Sequence, residues 1–335
     1  MSLYRAETRR LVKRRFTKLF VAGVLLILAA VAAGTFVTNR KIGPAEIAAA
    51  QAHARAEYEQ AVAAMARAKQ ECEAARGTPA EAQFPPGCEL AGPTEADFNP
   101  QWYMRATFDF REKFPDMVTT LAALLALMAY VVGASFVGAE WTSGGMMNLL
   151  LWRPQRLRVL GTKLAALLVG LTALTAVLAA AWTGIFVLIA ELRGSMAGMT
   201  SGAWRSLGLM ELRALGLVLA AGAIGFGLAS IGRHTAMALG VAIGVVVVLQ
   251  FGLGAVLSLA KVKFFEMYLI PVWVITWMDK SYRIQDYTSC EFSPVNGCAP
   301  DSITLTWPMA GGVLATATIL IVGAALWTLR SRDIT

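Results

Sequence analysis

Long apolar stretches alternate with short polar ones along the chain, and their lengths carry the first inference. Six runs, at about 19–38, 116–138, 164–190, 212–232, 235–259 and 307–329, keep their ionisable residues at the ends. A helix rises about 1.5 Å per residue, so some 20 apolar residues cross the roughly 30 Å hydrocarbon core of a bilayer. A charge at mid-span costs roughly 2.5–3.5 kcal/mol on insertion scales, which explains its exclusion from span interiors. The pattern predicts an all-α, polytopic membrane protein with six transmembrane helices.

The polar segments differ from one another. Residues 1–18 set Leu3, Tyr4, Leu11, Val12, Phe16 and Leu19 along one side of a helix, with Arg and Lys on the other. That period predicts an N-terminal amphipathic helix at the membrane interface. A basic tail that only enforces topology is the alternative. Residues 39–115 form an insertion whose first half, from Pro44 to Gly77, is Ala-rich with charges on most turns. Proline near a start and glycine just past an end suit a long, solvated helix. The following TPAEAQFPPGCELAGPTEADFNP reads as loop.

The remaining connections are a loop at 139–163, another at 191–211, a tight Arg233-His234 turn (233–234), a segment at 260–306 and a tail at 330–335. Within 260–306, FFEMYLIPVWVITWM (264–278) is apolar but interrupted by Glu266 and Pro271. It is short for a span, and its aromatics suit the headgroup level, so a re-entrant or interfacial hairpin before the last span is expected.

Composition agrees. Hydrophobic residues make up 57% and charged residues 16% of 335, against about a quarter charged in a soluble domain. Charge placement then orients the spans. The first 18 residues hold Arg5, Arg9, Arg10, Lys13, Arg14, Arg15 and Lys18 against the single acid Glu7. Such density next to a span holds that end in the cytoplasm. Six spans return Arg330 and Arg332 to the same side and place 139–163 and 233–234 there too. The segments so placed contain only Glu7, Glu140 and Asp333 as acids. Total Lys and Arg are nearly even on the two sides, so density beside the spans decides. The net charge of +8 therefore points to anionic lipid headgroups rather than nucleic acid. The first span lacks an A-x-A-like exit and reads as a retained anchor.

All four cysteines fall on the predicted outer side, as the pairs Cys72 with Cys88 and Cys290 with Cys298. An oxidising compartment permits both bridges, and free thiols are the alternative. Spans four and five carry Ala221, Gly225 and Ala229, then Gly240 and Gly244. Such spacing lets helix backbones approach, within the chain or in self-association.

Several chemistries are missing. No G-x-x-x-x-G-K-[ST] occurs, so the chain has no phosphate-cradling loop of its own. The span interiors lack the ionisable residues on which ion-coupled transport relies. Two histidines and no clustered cysteines make a metal site improbable. One enzymatic pattern exists: Gly-Ala-Ser-Phe at 133–136 with His234 resembles the nucleophile and distant base of rhomboid-type intramembrane proteases. A serine nucleophile needs a base within hydrogen-bond reach, and small-residue packing plus a basic turn account for both residues without catalysis. A membrane scaffold is the other non-transport alternative.

The segment GAEWTSGGMMNLLLWRPQRLRVLGTK (138–163) is the most specific feature. Glu140 at a helix start would be favoured by the exposed amides and the dipole. A short amphipathic helix would follow, broken by Pro154 and leading into span three. This arrangement resembles the membrane subunits of ATP-binding cassette exporters, the type 2 permease family (also called type V). That family shows a Glu, three residues, Gly-Thr, apolar residues, a Pro-basic segment and a Lys opening the third span. Here the matching residues are Glu140, Gly144, Gly145, Leu149 to Leu151, Arg153, Pro154, Arg156 and Lys163, with Gly145 where the family has Thr.

The resemblance implies that 140–152 form a coupling helix docking on a separate ATPase subunit, with Glu140 as cap or ion partner. Trp141 and Met146 would be apolar contacts, and Thr142, Gly144, Gly145, Arg153 and Arg156 their neighbours. Arg233 and His234 would form a smaller second contact. It further implies two ATPases that bind ATP and Mg, a second permease chain (identical or related), and no cofactor on this chain. The expected setting is a bacterial plasma membrane, with both termini cytoplasmic and the external domain as gate or lid.

Overall fold

The computed structural model describes residues 3–79, 83–88, 92–152, 155–286 and 300–331. Cys290, Cys298, Arg153, Pro154, Arg332 and Asp333 lie outside them. Among the described residues six helices are long and apolar enough to cross a membrane: Arg15–Thr38, Phe110–Thr142, Arg156–Arg193, Ser201–Gly232, Thr235–Leu259 and Trp307–Ser331. The fold is mostly all-α and polytopic, and neither of its two small sheets closes.

The chain divides into two compact units. The larger comprises residues 1–32, 111–186 and 198–335. It starts with α1 (Leu3–Lys13), and Arg14 separates this from α2 (Arg15–Thr38). The basic N-terminal segment is thus two helices joined at an arginine rather than one running to residue 18. The helix α4 (Phe110–Thr142) starts before Pro115 and ends at a turn whose Gly144 has φ +71°. A left-handed residue stops a helix, and glycine adopts it without a Cβ penalty. The short α5 (Gly145–Trp152) follows, then α6 (Arg156–Arg193). Arg156, Arg158 and Lys163 therefore ride on the first turns of α6, not in a loop. The connection after α6 is also shorter than expected, since α7 (Ser201–Gly232) begins with Thr200 Oγ1 accepting the Ala203 N–H.

Two helices, α4 and α7, make the core; 72% and 61% of their apolar windows are buried, against 11% for α2. Glycines account for the close approach. A Cβ on Gly133 would collide with the Gly222 carbonyl, and one on Gly225 with the Tyr130 carbonyl. Of the small-residue positions in spans four and five, Gly225 thus serves packing within the chain, whereas Gly240 and Gly244 face open space. The fifth span combines α8 (Thr235–Gly244), a π-helical stretch over Val245–Leu253 and α9 (Gly254–Leu259).

The segment before the last span holds α10 (Ile270–Asp279), with Pro271 in its first turn, and an antiparallel hairpin that the sequence analysis did not foresee. Strand β3 (Ser281–Asp286) pairs with β4 (Asp301–Thr306), burying Ile284 and Leu305 against Val272 of α10. The chain continues from β4 into α11 (Trp307–Ser331).

The smaller unit comprises residues 33–110 and 187–197. Its main element is α3 (Pro44–Ala75), where the Glu46 carboxylate accepts the Gly43 N–H and Gly77 follows at φ +77°. Ala50 and Ala54 are buried beneath the loop, whose Tyr103 hydroxyl donates to Glu57 at 2.7 Å. That bond, with Glu57's charge, raises the Tyr103 phenol above its usual range. A Cys72–Cys88 disulfide ties the helix end to the loop. A two-residue parallel pairing joins β1 (Phe108–Asp109) to β2 (Gly194–Ser195).

Candidate functional site: a buried ion cluster beneath a short surface helix

Site geometry in the larger unit begins at the end of α4. Glu140 lies in that helix's last turn rather than at the start of the next element. There the helix dipole disfavours a carboxylate, so the sequence expectation of a cap is corrected by what compensates it. Lys163 Nζ stands 2.6 Å from Glu140 Oε2 and 2.7 Å from Glu7 Oε2. Arg14 reaches Glu140 Oε1 at 3.1 Å and donates to the Ser135 carbonyl at 2.9 Å. Arg10 meets Glu7 at 3.3 Å.

The side chains of Lys163 and Glu7 are wholly buried, and that of Glu140 is 10% exposed. Arg14 and Lys163 lie over the Phe136 ring, 5.2 and 5.5 Å from its centroid, where ring electrons favour cations. Burial lowers the Arg14 pKa, opposed by Glu140 and Glu7. Three cations thus surround two carboxylates, and charges buried in low dielectric persist only when so matched. Lys163 and Arg14, read from the sequence only as basic residues beside the spans, are drawn into this cluster.

From the cluster, Thr142 and Ser143 hydroxyls donate back to carbonyls of α4, and Gly144 redirects the chain into α5. Met146 is fully buried, which corrects its expected part as a partner contact. Gly145 and Asn148 are exposed instead. Trp141 is half-buried under Arg233, whose guanidinium lies 5.1 Å from the ring centroid. Arg233 is left-handed at the end of α7, and His234 Nδ1 accepts the Ala236 N–H to start α8. The two segments expected to be separate contacts therefore meet. Arg156 sits in the first turn of α6, and Arg158 donates to Gln155. A cleft of about 850 Å³ opens beside the cluster, with Arg9, Arg10 and Lys13 on one wall and Gly145, Asn148 and Leu149 on the other.

The protease alternative gains nothing from this geometry. Ser135 Oγ donates to the Val132 carbonyl of its own helix, and His234 Nδ1 is occupied as a helix cap. Sequence reasoning missed Glu7 and Phe136 as site residues. The available signal was Glu7 itself, the single acid in a strongly basic segment.

The chain from α1 to the sixth span matches a known family: the model of the ABC-2 family transporter protein covers residues 1–331. The chain belongs to the ABC-2 transporter family. It is a membrane permease subunit of an ABC transporter, a class that works with an ABC ATPase subunit. No curated protein matches the permease significantly in sequence.

Proposed function

We propose that this permease forms the translocation path of an ATP-driven exporter and takes its power stroke through α5. The observation that carries the proposal is the mounting of α5. An eight-residue helix is joined to α4 by a two-residue turn with a left-handed glycine, and the end of α4 is bonded through Glu140 to Arg14 at the α1–α2 junction and to Lys163 of α6. Pressure on the exposed Gly145–Asn148 side is thereby delivered to the core helix and to two of its neighbours at once. Arg233 on Trp141 adds the α7–α8 turn to the same face.

In this account the basic N-terminus lies in the cytoplasm, and the face bearing α5 meets the ATPase there. Two permease chains, identical or related, assemble with two ATPases that bind ATP and Mg in a bacterial plasma membrane. ATP binding closes the ATPases, and the spans rock between inward- and outward-open forms. The 39–115 domain and the hairpin before the last span act as exit gate or lid. Binding sites for cargo that favour one form are what make such a cycle export.

The test is a cross-link. Asn148→Cys in the full permease, co-expressed with its ATPase, should form a bifunctional-reagent adduct with the ATPase whose yield changes on ATP addition. Absence of an adduct at Asn148, with adducts forming at a position on β3 or β4, would place the ATPase on the wrong face for this account.

A further inference from the structure

The helix α2 touches its neighbours by a thin stripe. Only Val24, Leu28 and Ala32 are buried on it, and Leu19, Leu25, Leu26 and Ile27 stand exposed. Apolar grooves of about 370 and 430 Å³ run along it, with Met128 of α4 lining both. These volumes fall within the roughly 300–1,000 Å³ of small-molecule sites.

The larger groove differs from the smaller. Leu11, Leu25, Met128, Val132, Leu171 and Leu174 line it, and Lys18 lines it with them. Lys18 is exposed and forms no salt bridge among the described residues. Lys13, Arg15 and Lys18 are all exposed nearby, and no Asp or Glu occurs between Glu7 and Glu46. A cation beside an apolar trough, with no carboxylate near it along the chain, matches an amphiphile with a negative head. Basic residues at a span end attract anionic lipid.

We propose that this groove holds one anionic glycerophospholipid of the surrounding bilayer, its acyl chain along Met128 and Leu174 and its phosphate beside the exposed Lys18. The ammonium neutralises the phosphate charge. The lipid would then buttress α1, because Leu11 seals the groove against Gly170, where a Cβ would come within 2.8 Å of Leu11 Cδ2. This site is independent of ATPase docking and remains if α5 proves to have another role.

Native mass spectrometry of the full chain released from mixed phosphatidylglycerol and phosphatidylcholine nanodiscs tests it. One phosphatidylglycerol should be retained, with Lys18→Glu lowering its preference over phosphatidylcholine by about tenfold. Ala22→Trp, which fills the groove from an exposed position, should abolish retention. Equal retention of both lipids by the unaltered chain, or undiminished retention in Ala22→Trp, would overturn the proposal. Should a variant misfold, phosphatidylglycerol carrying an acyl-chain diazirine decides the matter on the unaltered chain. Adducts concentrated on Met128, Leu171 and Leu174 support the site, and labelling spread evenly over α8, α9 and α11 overturns it.

Discussion

At the residue scale, Lys163 is the keystone, because both carboxylates it neutralises lie on other elements. Removing one partner of a buried pair leaves an uncompensated charge and costs about 3–5 kcal/mol. Lys163→Met should therefore lower the thermal midpoint of the detergent-solubilised permease markedly. Glu7→Gln together with Lys163→Met should recover part of the loss, since two charges then vanish together. A midpoint unchanged in Lys163→Met would show that the cluster is solvated and structurally idle. Little of this site was legible beforehand. The sequence placed Glu140 and Lys163 near the membrane edge, but nothing local reveals that Lys163 pairs with Glu7, 156 residues away. A carboxylate at a helix C-terminus contradicts the local rule and is tolerated only because tertiary structure brings cations to it. For the same reason Met146 could not be told from its apolar neighbours Met147 and Leu149 as the buried one.

At the element scale, backbone rules made some boundaries readable and packing hid others. Pro44 and Gly77 bracket α3 because fixed and left-handed φ values act locally. The β3–β4 hairpin escaped notice because its alternation, with Ile284 and Leu305 inward, follows an apolar aromatic run that dominates the pattern. Gly144 offers the sharpest test of an element's role. Its φ of +71° costs an L-residue about 1–2 kcal/mol, so Gly144→Val should misdirect α5 and reduce ATPase-stimulated transport while the spans stay folded. Full coupling in that variant, measured as ATP hydrolysed by the assembled transporter, would remove α5 from the pathway. In the smaller unit, the Cys72–Cys88 bridge closes a loop with a sequence separation of 16. A closed loop of that size is worth about 3 kcal/mol in the chain-entropy account. Cys72→Ser with Cys88→Ser should therefore open the segment after α3 to limited proteolysis, and an unchanged cleavage pattern would contradict that.

At the scale of the whole molecule, six apolar runs and a basic N-terminus announce a polytopic membrane protein because bilayer thickness and headgroup charge act on composition rather than on contacts. What the chain lacks, a phosphate-cradling loop, directs attention to a partner, and membership in the ABC-2 family supplies the class of that partner. The spans are unequally packed, with α4 and α7 forming a core and α2, α8, α9 and α11 mostly exposed. In the proposed cycle the weakly buried α8 and α9 are the helices that rearrange, and their exposed apolar faces suit a second permease chain. The central claim remains that α5 is where the ATPase pushes. Quantitative mass spectrometry of the affinity-purified permease, unaltered and with Gly145→Trp and Asn148→Trp together, tests it most directly. The account predicts an ABC ATPase in equal amount with the unaltered chain, and its loss from the variant at an unchanged thermal midpoint. Equal recovery of the ATPase with both chains would contradict it.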